Sequence, residues 1–537
     1  MRFLVLTLHL LFAVPLFAEP GQGTHIAVVH PPVFRSCLEP WILYRSAQGW
    51  TIHLLEISSG TGENEILQAI RKQAAENPLR AVLLVGDAKT LPSPLVPARV
   101  IGGFGEEQKI ASDSLYGDLD GDGLPDIVVG RFSVQSPGEL NAIIRKTIQY
   151  ENQSPGPWLR RLNFIAGVGG FSPILDRSIE SAARYVLSRM IPPEYEITLT
   201  QADIKSPYCP APNQFRNETI TRLNEGPLFW VYIGHGHRRT LDQVLWPGQD
   251  RTFPIFEKGD AQYVSCNSGL PIAVFLACYT GMLDADEDCL AEELHRREKG
   301  PVAVFASSRT SMPYGMCALG IELIEEVFQP RAVDQPLLLG DAILTAKRRS
   351  LETPKAQSAG QERSIRETID SLARMLDPTR DRLDEQRLDH VHLFHLFGDP
   401  LLRLPTPLEV KLEAPETARP NTTITVRGVL PDSERTVIGN RRAVVELAVP
   451  KSRNTVTVPG NRTFSLTEES VKEFNTLYAQ ANRRVVSRVI VDVTAKEFTA
   501  ELPIPNLSRA ETGDYDLRVY YETPDAFALG SKMILVK

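Results

Sequence analysis

Two six-residue runs, Leu228–Ile233 (LFWVYI) and Ile272–Ala277 (IAVFLA), constrain this chain most, because neither shows the polar alternation of a strand with one wet face. Strands of that composition have both faces covered, as in a parallel sheet flanked by helices. Comparable short runs occur at His25–Val29, Thr51–Leu55, Ala81–Val85, Ile127–Val129, Asn163–Ala166 and Val302–Phe305. Helix-like segments lie between them at Glu63–Ala75, Gly138–Tyr150, Asp176–Met190 and Leu290–Arg297. The alternation implies α/β architecture with a largely parallel sheet. At 537 residues the chain exceeds a single core. The Pro/Gly break Asn152–Pro157 divides the expected α/β region into a unit at 24–152 and a second at 158–404. The charged segment Lys355–Arg387 reads as a helical insertion.

After Pro405 the period changes to two. Segments at Leu408–Leu412, Thr423–Val429, Val444–Val449, Val485–Val493 and Tyr515–Tyr521, separated by turn residues, predict a β-sandwich over 405–537. Gly513-Asp514-Tyr515-Asp516-Leu517 resembles the tyrosine corner of immunoglobulin-like domains. At the other end, Arg2, the apolar stretch Phe3–Phe17 and the small Ala18 read as a signal peptide over 1–18. A secreted, periplasmic or cell-surface location is therefore expected. No later apolar run reaches the ~20 residues of a bilayer span, so no transmembrane anchor is expected. A net charge of -8 supplies no basic field for nucleic acid. Six cysteines (Cys37, Cys209, Cys266, Cys278, Cys289 and Cys317) are too few for a disulfide scaffold of this size.

Leu228–Ile233 and Ile272–Ala277 both stop at chemically loaded residues: the first at Gly234-His235-Gly236-His237, the second at Cys278. Ligands of open parallel sheets sit beyond the carboxyl ends of the strands, so both side chains are expected at one functional edge. A thiol beside an imidazole suffices for nucleophilic acyl transfer, the thiolate attacking and the imidazole protonating the leaving amine. Gly236 allows close backbone approach, and its N–H with that of Cys278 could form an oxyanion hole. Two other readings stand beside this one. A Cys ending an apolar strand is commonly a small core residue, and His235 with His237 could instead hold the metal of a hydrolase. His390, His392 and His395 form a further cluster, expected to serve packing or the surface, with only the last two sharing a helical face.

With LLVGDAKTLP, DIVVGRFSVQSPGEL, YIGHGH, FLACYTG, VAVFASS and HLFGDPLLRL in this order, the sequence resembles the gingipain family of cysteine peptidases, of the caspase-like clan. The resemblance implies a caspase-like catalytic region followed by an immunoglobulin-like domain, and a cysteine-type endopeptidase acting on protein or peptide substrates. It implies His235 as the catalytic histidine and Cys278 as the nucleophile. It also implies a substrate-reading role for Asp176, after Gly169-Gly170, with preference for a basic residue before the cut; helix capping explains Asp176 equally well. Tyr314 is expected on the resemblance to line the same pocket. One departure is that Val168 stands where the family carries a glutamate thought to orient the histidine.

A last motif, Asp118-Leu119-Asp120-Gly121-Asp122-Gly123-Leu124-Pro125-Asp126, sets acids at alternate positions around glycines, a pattern suited to Ca²⁺. Asp118, Asp120, Asp122 and Asp126 are the expected ligands, in a structural role; a solvated Asp-Gly turn is the alternative. A non-enzymatic reading, a calcium-binding surface or adhesion protein keeping a peptidase-like domain, would use the same motif and the sandwich.

Overall fold

The computed structural model describes residues 24–537 apart from 104–106, 170–185, 247–250, 332–335, 353–364, 431–440, 454–455, 461, 494–495 and 524–525. Ten strands build one sheet: β1 (His25–His30), β2 (Thr51–Glu56), β3 (Leu79–Val85), β4 (Val128–Phe132), β5 (Arg161–Ala166), β6 (Glu196–Gln201), β7 (Phe229–Ile233), β8 (Ile272–Leu276), β9 (Ala303–Ser307) and β10 (Phe394–Phe397). Their order is β2-β1-β3-β4-β10-β9-β8-β7-β5-β6. Every neighbouring pair is parallel except β9–β10. The sheet is thus two parallel halves running in opposite directions, welded at one antiparallel seam. β8 is buried along its whole length, and β7 along all but its last residue, as their unbroken apolar sequence requires.

β10 comes from the far end of the region, yet it pairs with β4 of the N-terminal half and β9 of the C-terminal half. The following Gly398-Asp399-Pro400 turn locks it. Asp399 accepts hydrogen bonds from the Trp41 indole (2.5 Å) and the Arg45 guanidinium (2.7 and 3.1 Å) of the first helix, all in the interior.

From 405 onward, two sheets face each other over a shared apolar core that includes Val426, Leu447, Leu502, Leu517 and Val519. One centres on the antiparallel strands Arg441–Ala448, Val485–Val493, Gly513–Glu522 and Phe527–Val536; the other pairs Lys411–Glu413, Thr423–Val429 and Glu497–Pro503. The Tyr515 hydroxyl donates back to the Glu511 carbonyl at 2.8 Å, the contact that defines a tyrosine corner. The α/β region followed by a β-sandwich agrees with the fold class expected from sequence.

Two elements depart from expectation. A helix, Glu468–Asn482, interrupts the sandwich and lies against edge strand β6. There the Asn482 side chain accepts from the Leu199 N–H (2.9 Å) and donates to the Leu199 carbonyl (3.0 Å), supplying the pairing of a missing strand. The second departure concerns His395. It lies in β10 rather than on the helix Leu383–Leu393 that carries His390 and His392, and all three rings are buried.

Candidate active site

In the register of β7 and β8, Ile233 stands opposite Leu276. Two residues beyond each, adjacent parallel strands deliver His235 and Cys278 to the same edge at corresponding positions. The chain between is drawn tight. Gly234 N donates to Leu276 O at 3.2 Å, and a Cβ at Gly236 would lie 2.8 Å from both the Cys278 carbonyl and the Ala277 methyl. Glycine at 236 is therefore what permits the His235 loop to lie on the Cys278 backbone. His235 is exposed, and Cys278 half-buried.

Cys278 opens a sharp turn two residues past the end of β8. Tyr279 adopts a left-handed backbone (φ 57°), a conformation rare for a residue with a bulky side chain. The ring holds that turn in place: its hydroxyl donates to Glu107 Oε2 (2.9 Å) and accepts from Thr310 Oγ1 (2.9 Å). Such strain is found where the surroundings overdetermine the backbone, most often at functional sites. The loop after β9 reaches over the thiol. Ser311 N–H donates to Cys278 Sγ at 3.2 Å, and hydroxyl contacts between Ser307 and Ser311 (2.6 Å) shape that loop. Burial pushes the Cys278 thiol up, and the Ser311 N–H opposes the rise. Arg309, two residues earlier, is clamped in a bidentate pair with Asp284 (2.6 and 2.8 Å).

Beneath the histidine, the Tyr232 hydroxyl donates to the His235 carbonyl (2.7 Å) and accepts from the Asp242 N–H (3.3 Å). Asp242 Oδ2 in turn accepts from the Val168 N–H at 3.0 Å. Ser311, Tyr232, Asp242 and Glu107 were not singled out from sequence: Ser311 and Glu107 meet this edge from segments brought together only by folding, and Tyr232 and Asp242 through a return of the chain after His235.

Other expected site residues distribute differently. Tyr314 does not reach the edge. It opens the helix Pro313–Phe328, is 4% exposed, and packs with Ile369, Ala373 and Leu383. Its hydroxyl donates to Asp370 at 2.8 Å and accepts from Arg387, so helix–helix packing claims the ring that sequence assigned to a pocket. Asp176 lies outside the described residues. In the acidic loop, carboxylate oxygens of Asp118, Asp120 and Asp126 lie within 4.8 Å of one another. Asp122 is not one of the three; its carboxylate accepts from the Leu124 N–H at 2.7 Å. A guanidinium, Arg71, already stands 3.3 Å from Asp118. Of the histidines, His390 accepts from the Met312 N–H (3.0 Å), and burial lowers the pKa of all three, which fits packing.

The model for peptidase family C25 matches residues 19–405. Gingipain R2 of Porphyromonas gingivalis is 25% identical over 303 residues, covering 54% of this chain and 37% of that protein. Lys-gingipain from the same organism is 25% identical over 297 residues, covering 53% and 15%. The chain thus spans little more than a third, or less, of those relatives. The solved structure of the Arg-specific cysteine proteinase gingipain R aligns with 97% of this chain and 100% of its own, at a TM-score of 0.54 and 18% identity. A complex of RgpB pro- and mature domains from P. gingivalis aligns with 96% of this chain and 100% of its own, at a TM-score of 0.54 and 18% identity. A family match across the whole α/β region, on a fold shared from end to end, identifies the chain as a member of peptidase family C25.

Proposed function

We propose that the protein is an exported cysteine endopeptidase in which Cys278 attacks the scissile carbonyl and His235 serves as general base and acid. The observation that carries this reading is the meeting of the two strand ends, where Gly236 lies against the Cys278 backbone and the Ser311 N–H donates to the thiol. Attack forms the Cys278 Sγ–carbon bond while His235 protonates the departing amine; water, deprotonated by His235, then releases the acid. N–H groups at Gly236 and Cys278 stabilise the oxyanion. A preference for a basic residue before the cut, read by Asp176, follows from the resemblance and from the relatives called Arg-specific and Lys-gingipain. Export, and association with a cell surface, belong to the same reading, on the sequence of residues 1–18; no described helix is long and apolar enough to cross a membrane.

A metal-dependent hydrolase on His235 and His237 finds no support among the described residues, where the acids, cysteines and histidines that converge at ligating distance are those of the Asp118 loop. Those acids suit a structural Ca²⁺, their oxygens being close enough to share one hard cation. Mature protein assayed on a fluorogenic peptide library, beside Cys278→Ala and His235→Ala, tests the proposal. Cleavage lost by more than about 10³-fold in both variants supports it; cleavage surviving Cys278→Ala, or absent from folded wild type, overturns it. For calcium, the melting temperature is expected to rise with millimolar Ca²⁺ in the wild type. Asp118→Asn should abolish that rise, and a rise of equal size in the variant would remove the loop from consideration.

A further inference from the structure

The segment after His235 turns back on itself. His237 N–H donates to the Thr240 carbonyl at 2.8 Å, and Gly236 and Leu241 face each other in an antiparallel bridge. The residue so returned to the side of His235 is Asp242. Its carboxylate is fixed on both oxygens: Oδ2 accepts from the Val168 N–H (3.0 Å) and Oδ1 from the Gln243 N–H (2.8 Å). Its own N–H donates to the Tyr232 hydroxyl that holds the His235 carbonyl. The fit depends on Gly167, where a Cβ would stand 3.2 Å from Asp242 Oδ2 and 2.6 Å from the Tyr232 hydroxyl.

Burial raises the proton affinity of Asp242, while the Gln243 N–H, the charge of a protonated His235 and the Val168 N–H favour its ionised form. The titratable and charged neighbours of His235 in the chain are His237, Arg238 and Arg239 on its own segment, Tyr232 at its backbone carbonyl and Cys278 just past the end of β8. Arg239 is paired with Glu287 at 3.1 Å. The side chain of Val168 is apolar and brings no charge to this corner, but its backbone N–H anchors an acid delivered from the opposite direction.

Resting on the Cys278–His235 reading, we propose that Asp242 is the positioning carboxylate of His235, held against the Gly167–Val168 turn so that it orients the ring and stabilises the imidazolium. It acts through His235 and does not touch substrate. A fixed negative charge beside an imidazole favours the protonated form, which is what a histidine needs when it must hold a proton opposite a thiolate.

Asp242→Asn keeps an acceptor for the Val168 N–H and removes the charge. In kinetics on a cleaved peptide, kcat is expected to fall about 10- to 100-fold with KM within about twofold. The alkaline limb of kcat/KM is expected to move about one pH unit lower. Asp242→Glu should recover part of the rate and return the limb toward its wild-type position. A folded Asp242→Asn enzyme with kcat within about twofold and an unmoved limb overturns the proposal. Should that variant fail to fold, the NMR spectrum of His235 in the Cys278→Ala protein decides: a deshielded, exchange-protected imidazole N–H proton supports a carboxylate neighbour, and a ring N–H that exchanges freely with solvent overturns it. The same spectrum separates the two readings, since wild type that cleaves nothing defeats the peptidase and leaves the Asp242–His235 contact measurable.

Discussion

At Gly236 a missing methyl group governs the distance between two chemical groups. A Cβ there would press on the Cys278 carbonyl at 2.8 Å, so Gly236→Ala must push the His235 loop off the strand end. Displacements of about 1 Å at a reacting centre cost on the order of 10²-fold in rate, and that loss in kcat/KM is expected here with the melting temperature nearly unchanged. Assay and calorimetry of the one variant check both halves. His235 and Cys278 could be found in the sequence because each ends an unbroken apolar run, and parallel sheets present strand ends as their working edge. Ser311 and Asp242 could not, because what distinguishes them includes a hydrogen bond to a residue 33 or 74 positions away. Tyr314 shows the opposite error: a resemblance suggested a pocket wall, and the interior of a helix pair took the ring.

Elements were legible in proportion to how much of their environment lay within them. β7, β8 and most other sheet strands needed only to be apolar throughout. β10 escaped notice because its His-rich lead-in continues a helix to Leu393, and the switch to a strand is dictated by the gap between β4 and β9. The helix Glu468–Asn482 was missed within a region whose period was otherwise two. It caps an edge, and its last residue does so through one amide. Asn482→Ala is expected to cost about 1–3 kcal/mol by leaving both polar groups of Leu199 unpaired; denaturant unfolding would measure it, and seeded aggregation assays would report the bared edge. The helix Pro313–Phe328 offers a complementary check. Tyr314→Phe removes the hydroxyl between Asp370 and Arg387, so stability should fall by about 1–3 kcal/mol while kcat/KM stays level. A loss of affinity for peptide instead would return Tyr314 to the substrate pocket.

Between the sandwich and the sheet, one buried acid ties charges from both sides. Glu446 of strand Arg441–Ala448 meets Arg160 before β5 (3.2 Å) as well as Arg488 (2.6 Å) and Arg518 (2.8 Å) of its own domain. Burial alone would raise its pKa, but Arg518, Arg160 and Arg488 overcome that and hold it at about 2. An unfolded glutamate titrates near ~4.3. The depressed folded value therefore contributes stability fully present above about pH 4.3 and lost as pH falls toward about 2, of the order of 3 kcal/mol. Glu446→Gln should be about 3 kcal/mol less stable at neutral pH, because three guanidiniums are left to share Glu196 as their remaining counter-charge, and its acid unfolding should lack that contribution. Calorimetry from pH 7 to 2.5 on both proteins would show it.

The seam strand β10 also sets a schedule. A ribosome delivers β1 to β4 long before residues 394–397, so the N-terminal half waits with the flank of β4 open until nearly three quarters of the chain exists. Asp399, which ties that strand to Trp41 and Arg45, arrives later still. Native closure is thus a late event by construction, and a truncated chain ending before residue 394 would carry every strand of both halves and still lack the one that joins them.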